Sequence, residues 1–263
     1  VKISVVTVAF NAAATIGDTL RSVAAQGGDI EHIVIDGGSR DGTADIVAAH
    51  GRPGTVFVSE PDGGLYDAMN KGAALATGDL IGFLNADDFY CRTDAAELIA
   101  EAAGAHPAAA AISGGVAIVA ARNPGRLRRA YPAAPFSRWM LRFAHMPPHP
   151  GFYARRAAFE RVGAFDPSIR SGADFDWMLR FFLRERLRAV PLRATLVTMR
   201  DGGVTNTGLG SRQRINEEAL ASLRRAGMAS AAPLVWSKYL AKAAQLVTPA
   251  PGWPAPPAVR WTP

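Results

Sequence analysis

Cysteine is almost missing: Cys91 is the only one in 263 residues. A chain with one thiol forms no internal disulfide, no Cys-rich metal site and no dithiol redox pair, so a reducing compartment is the simplest expectation. Long apolar runs are missing too. No uncharged stretch reaches the roughly 18 residues that a membrane-spanning helix needs, and the nearest approach, Pro233 to Val247, carries Lys238 and Lys242. Val1-Lys2-Ile3 passes straight into a strand pattern, without the basic segment, apolar run and small-residue site of a secretion signal. A cytoplasmic location is therefore expected. The motifs GxxxxGK[ST], GxGxxG after the first strand, and GxSxG are absent, which weakens P-loop, dinucleotide-binding and serine-hydrolase readings. The 18 prolines and 26 glycines follow no triplet, and no longer repeat is visible. Collagen and solenoid architectures are excluded.

What is present is enough apolar material for a sizeable core: 49% of the residues are hydrophobic and 20% charged. The charge is divided unevenly. Residues 1–100 hold 6 Lys and Arg against 14 Asp and Glu, whereas residues 101–263 hold 23 against 9. An acidic half suits a metal and catalytic carboxylates; a basic half suits phosphates, nucleic acid, an anionic membrane surface or ordinary solvated surface.

Apolar β-branched runs alternate with helical periodicity along the first half. Ile3 to Phe10 reads as a strand, and Thr15 as the cap of a helix that buries Ile16, Leu20 and Val23. His32 to Asp36 and Thr55 to Ser59 read as short strands, Ala44 to His50 and Tyr66 to Ala76 as helices, and Leu80 to Leu84 as a buried strand. Ala111 to Ala120 reads as a further strand, Asn123 to Pro135 as a basic connection, and Asp174 to Arg188 as a helix. The pattern predicts an α/β protein with a mostly parallel sheet flanked by helices, its ligands gathered beyond the carboxyl ends of the strands. We expect residues 1–120 to form one α/β subdomain, 121–228 a second subdomain, and 229–263 a helix with a Pro-rich tail.

The sharpest local feature is Leu80 to Asp88, LIGFLNADD, in which an apolar strand delivers two carboxylates to its end. Asp87 and Asp88 can hold a hard cation such as Mn²⁺ or Mg²⁺, or one of them can cap the next helix. Asp174-Phe175-Asp176 has the DxD form, but at a helix start its two side chains diverge by about 200°. A shared metal is disfavoured there; one of the pair can serve as a general base, or as a carboxylate on the helix dipole. His145 and His149 stand four apart, yet Pro147 and Pro148 between them forbid the helix that a zinc pair needs.

Taken together, SVVTVAFNAAATIGDTLRSVAAQ, IVIDGGSRDGT, SEPDGGLYDAMNKGAALATGDLIGFLNADD, HPGFYARR and SGADFDWMLRF resemble the family 2 glycosyltransferases. The resemblance implies the GT-A fold, a Rossmann-like sheet in a single domain with a C-terminal acceptor-side helical region. It also implies inverting transfer of one sugar from a nucleotide diphosphate sugar, with a divalent metal between the protein carboxylates and the diphosphate. Residues 1–120 would then bind the nucleotide sugar and 121–228 the acceptor. Carried over by position, Asp88 resembles the metal ligand, Asp87 its neighbour at metal or ribose, and Asp174 the general base, with Asp176 as the fallback. Thr7, Ala9 and Phe10 resemble the wall of the nucleotide pocket, Asp36 a carboxylate at base and ribose, and Asp67 and Lys71 the rest of the donor site. His149 resembles a His near the acceptor side, and the basic second half would sit where the family binds its acceptor, so that Arg155 and Arg180 would meet a lipid-linked diphosphate or the anionic leaflet.

One departure stands out: many members carry two Asp before Gly-Ser, and here Asp36 is followed by Gly37. The missing carboxylate is often the one that reads uracil. The Gln-x-x-Arg-Trp motif of processive synthases is also absent, so one sugar per encounter is expected. The implied acceptor is a lipid-linked or polysaccharide precursor of the cell envelope. Pro233 to Val247 would be an amphipathic helix able to lie at the inner face of an anionic membrane, and nucleic acid is not expected as a partner. Two other readings compete: a sugar nucleotidyltransferase, which would need a Gly-rich basic loop after the first strand, and a non-catalytic binder of anionic lipid or nucleic acid, which leaves Asp87, Asp88 and Asp174 unexplained.

Overall fold

The computed structural model describes residues 1–202 and 209–247. The Pro-rich tail expected from residue 249 onward lies outside the described residues. Among the described residues nine strands form one sheet: β1 (Ile3–Ala9), β2 (Ile30–Asp36), β3 (Val56–Ser59), β4 (Leu80–Phe83), β5 (Phe89–Tyr90), β6 (Ala111–Ala120), β7 (Asn123–Tyr131), β8 (Phe152–Arg155) and β9 (Ala189–Arg200). The helices are α1 (Ile16–Ala24), α2 (Thr43–His50), α3 (Leu65–Leu75), α4 (Ala95–Ala105), α5 (Arg156–Val162), α6 (Ala173–Leu179), α7 (Leu209–Arg225) and α8 (Ala232–Val247).

Strand order is β3-β2-β1-β4-β8-β6-β9-β5, with β7 pairing β6. The run β3-β2-β1-β4 is parallel throughout. Beyond β4 the sheet becomes mixed, because β8 joins antiparallel to both β4 and β6 while β9 runs parallel to β6. The sheet is continuous across residue 120, so the two halves of the chain share one frame.

Residue alternation builds the layers. Val6, Val8, Ile33 and Ile35 face α3, α5 and α6 in one core. Ile3 and Val5 face α1 and α4 in a second core, and Ala9 and Val34 join Ile16, Leu20 and Val47 beside α1 and α2. β1, β2 and β4 are thus buried on both faces, as helical crossovers require, while the edge strand β3 stays largely exposed.

Three local expectations change. The segment from Asn123 is a strand paired with β6, with register shifts near Val119, and not a bare connection. Its exposed edge position leaves no apolar face to read from sequence. Thr15 stands before α1 but makes no side-chain cap; its hydroxyl reaches back to Ala12 O at 3.4 Å. The helix expected over 174–188 is α6 followed by a π-helical turn, Arg180–Arg184.

Candidate active site

The carboxyl ends of β3, β2, β1 and β4 lie side by side, so the loops 60–64, 37–42, 10–15 and 85–88 line one edge in that order. Backbone bonds carry the ladder into these loops: Glu60 N to Asp36 O, Gly37 N to Ala9 O, and Ala86 N to Val8 O, all within 3.1 Å. Parallel α/β sheets bind ligands at such an edge.

Asp88 lies at the deep end of this edge, 1% exposed. Its Oδ2 meets Asn85 Nδ2 at 3.3 Å, a long bond, and Asn85 Oδ1 is buried with no partner among the described residues. Burial, and then the Asp87 charge beside it, push the Asp88 carboxyl well above the usual carboxylate range; burial raises Asp87 as well. An arginine holds the turn from outside: Arg200 Nη1 donates to Asp87 O at 2.7 Å, pairs with Asp18 and lies 4.9 Å over the Phe89 ring. A buried, poorly satisfied carboxylate beside an orphaned amide oxygen is an oxygen-rich environment of the kind a hard cation favours. Among the described residues, no group of three or more His, Cys, Asp or Glu could hold a metal by itself, so Asp87 and Asp88 would supply two ligands and the donor or water the others.

The nucleotide-side residues divide. Phe10 is 67% exposed at the end of β1, while Ala9 beneath it is buried. Thr7 is fully buried, and its Oγ1 lies 3.0 Å from His32 Nε2, inside the layer and not in a pocket wall. Asp36 is also buried; its Oδ2 accepts from Ser39 N at 2.9 Å and Ser59 Oγ at 2.7 Å, and its Oδ1 from the Ser39 hydroxyl. That carboxylate organises the loop. Asp62 was not anticipated from sequence. A Cβ on Gly37 would sit 2.7 Å from Asp62 Oδ2 and 3.2 Å from the Phe10 ring, so Asp62 fills the space beside Gly37. Its Oδ1 accepts from Gly64 N at 2.8 Å. Asp67 and Lys71 brace the same loop: Asp67 accepts from Gly63 N at 2.9 Å, and Lys71 pairs with Glu60 at 2.7 Å and bonds Pro61 O.

Asp174 and Asp176 diverge, as helix geometry demands. Asp174 Oδ1 accepts from Tyr66 Oη at 3.2 Å and from Phe175 N at 2.8 Å, and among the described residues none bonds Oδ2. Tyr66 stands at the start of α3, and the Asp174 charge also acts on His149, whose ring stacks 5.4 Å from Phe83 on β4. Burial holds His149 neutral by lowering its pKa, with Asp174 opposing. Burial, then Asp174, raises the Tyr66 hydroxyl well above its usual range, so it stays a donor. Asp174 thus lies beside the start of α3 and near His149, whose ring rests on Phe83, the last residue of β4. Asp176 instead pairs with Arg180 at 3.1 Å and Arg225 at 3.1 Å, beside a cleft of about 670 Å³ between the π-helical turn and α7. Arg180 also donates to Val162 O and Ala164 O, and Arg155 to Ala103 O and Ala109 O. Both arginines are committed to the frame.

The glycosyl transferase family 2 model matches residues 4–186. The chain is a family 2 glycosyl transferase. An uncharacterised glycosyltransferase of Mycobacterium tuberculosis is 36% identical to this transferase over 231 residues, covering 86% of this chain and 82% of the relative. A glycosyltransferase of PGL/p-HBAD biosynthesis from Mycobacterium bovis is 30% identical over 209 residues, covering 78% and 79%. Among solved structures, Staphylococcus aureus TarS (residues 1–349) with UDP-GlcNAc superposes with a TM-score of 0.67 at 17% identity, covering 92% of the transferase and 72% of TarS. The mannosyltransferase PcManGT of Pyrobaculum calidifontis, in complex with GDP-Man and Mn²⁺, gives 0.58 at 18% identity, covering 94% and 80%. These two likenesses establish the GT-A-type fold, in agreement with the expectation from sequence.

Proposed function

We propose that the transferase moves one sugar from a nucleotide diphosphate sugar to an acceptor hydroxyl with inversion, holding a divalent cation at Asp88 and Asp87 and using Asp174 as general base. The observation that carries this reading is the buried Asp88 carboxylate, poorly bonded beside the orphaned Asn85 Oδ1 at the end of β4. The PcManGT complex contains GDP-Man and Mn²⁺, which supports a Mn²⁺ or Mg²⁺ assignment for the same fold. Bound there, the cation would offset the charge that grows on the departing diphosphate.

The remaining chemistry is assigned to side chains. Asp174 Oδ2 takes the acceptor proton as the acceptor oxygen bonds to the sugar carbon, and the carbon–oxygen bond to the diphosphate breaks with its electron pair leaving on the diphosphate. Tyr66 holds Oδ1, so Oδ2 is the basic atom. Phe10 stacks on the nucleobase, and Asp62 replaces Asp36 as the carboxylate that reads its N–H edge. We assign as acceptor a lipid-linked or saccharide precursor of the cell envelope; the relative named for PGL/p-HBAD biosynthesis supports a role in biosynthetic glycosylation.

Asp174→Asn tests the base. Turnover should fall by about 10²- to 10⁴-fold while donor affinity holds, because the amide keeps the shape and cannot take the proton. Asp176→Asn should lose its pairs with Arg180 and Arg225 and therefore stability, with turnover per folded molecule preserved. The opposite pattern would move the base to Asp176.

A further inference from the structure

Between Glu101 and Glu160 the chain has no acidic residue and eight arginines. Two of them, Arg155 and Arg156, bond back into the frame. The other six, Arg122, Arg126, Arg128, Arg129, Arg138 and Arg142, make no ion pair among the described residues, although Arg138 Nη2 also donates to Arg186 O at 3.1 Å. All but Arg129 are exposed, on the β6–β7 hairpin and on the 3₁₀ helix Arg138–Phe143 that follows it.

Apolar side chains are exposed on the same elements. Leu127 stands among the β7 arginines, 41% exposed, and Trp139 on the 3₁₀ helix is 60% exposed. α8 packs on that 3₁₀ helix and touches β7, and Ser230 Oγ ties its approach to Arg142 O at 2.6 Å. It brings Leu234 and Trp236, also exposed. Arginines on an edge strand alone would be ordinary protection against edge pairing. That explanation does not reach Arg138 and Arg142, which lie off the strand, or the two tryptophans.

We infer that β7, the 3₁₀ helix Arg138–Phe143 and the first turns of α8 form a docking surface for an anionic lipid bilayer. Unneutralised arginines meet the negative headgroups, and Trp139, Trp236, Leu127 and Leu234 enter the boundary where amphipathic and apolar side chains leave water. A polyanion such as RNA would match the arginines but give Leu127 and Leu234 nothing to contact. The proposal does not depend on the donor chemistry assigned to Asp88.

The test is co-sedimentation of the full chain with vesicles of phosphatidylcholine alone, or of phosphatidylcholine mixed with phosphatidylglycerol. Binding to the mixed vesicles only is expected, weakening as salt rises. At about fivefold per basic residue, the combined Arg126→Glu, Arg128→Glu and Arg129→Glu variant should bind over about a hundredfold more weakly. Trp139→Ala with Trp236→Ala should lose about tenfold at constant charge. Each variant should keep the wild-type melting temperature to within a few degrees and bind nucleoside diphosphates as the wild type does, which separates a failed surface from a failed fold or donor site. Equal binding to neutral vesicles, no binding to either, unchanged binding by both folded variants, or tighter binding to a single-stranded RNA oligonucleotide than to the mixed vesicles would overturn the proposal.

Discussion

Asp88 shows how one residue couples site and stability. Its carboxyl titrates well above the usual range because burial and Asp87 disfavour the anion. An acid with a raised folded pKa binds its proton more tightly in the native state than in the unfolded chain, so its cost to stability grows as pH rises. In chelator, Asp88→Asn should therefore melt higher than wild type at alkaline pH, and the gap should close as pH falls and Asp88 takes up its proton. With Mn²⁺ the order should reverse at the alkaline end, because only the wild type gains from the metal. Melting curves across pH, with and without metal, check both halves; a gap independent of pH would contradict the assigned burial of charge. Asp62 gives a second prediction. Asp62→Ala should weaken binding of the preferred nucleoside diphosphate by about tenfold and flatten the preference among UDP, GDP, CDP and dTDP. Isothermal titration measures this directly, and an unchanged ranking would return the base contact to Asp36.

Among residues, much of the site was legible because strand ends mark it. Asp87 and Asp88 follow an apolar strand, and the opposed directions of Asp174 and Asp176 follow from helix geometry. The contributions of Tyr66 and Asp62 depend on contacts across the sequence, Tyr66 with Asp174 and Asp62 with Gly37, which no local pattern displays. Arg155 and Arg180 were expected on the acceptor side for their charge. Their partners are main-chain carbonyls brought close only by the fold.

At the scale of elements, parallel strands buried on both faces write themselves as continuous apolar runs, and β1, β2, β4 and β6 are readable on that ground. β7 is not, since Asn-Pro-Gly-Arg reads as a turn and an edge strand has no buried face to leave a signature. The β1–β2 pair also contains a polar contact that composition hides, Thr7 with His32. Burial, then the Arg52 charge, lowers His32 to about 3. A histidine with a depressed folded pKa contributes full stability above its unfolded value near 6.5 and loses it as pH falls toward 3. At about 1.4 kcal/mol per pH unit, the loss between pH 6.5 and 5 is about 2 kcal/mol. Denaturant titrations of wild type and His32→Gln should diverge by that amount over this interval, and parallel curves would show that the imidazole does not titrate on unfolding.

For the molecule as a whole, the division of charge along the chain becomes a division of labour in one continuous sheet. The acidic first half supplies the parallel strands β1 to β4 and the edge whose loops carry Phe10, Asp62 and Asp88. The basic second half supplies Asp174, the arginines that brace α4, α6 and the Asp87 turn, and the exposed arginine surface on β7. Among the described residues no helix is long and apolar enough to cross a membrane. The measurement that bears most directly on the whole is calorimetric titration of UDP, GDP, CDP and dTDP into wild type and Asp88→Asn, each with Mn²⁺ and with chelator. One nucleotide should bind the wild type, at least about tenfold more tightly with Mn²⁺, and the metal should make no difference to Asp88→Asn. Equal binding in all four combinations of protein and metal would contradict a cation held at Asp88, and no binding of any nucleotide by folded wild type would contradict the donor site itself.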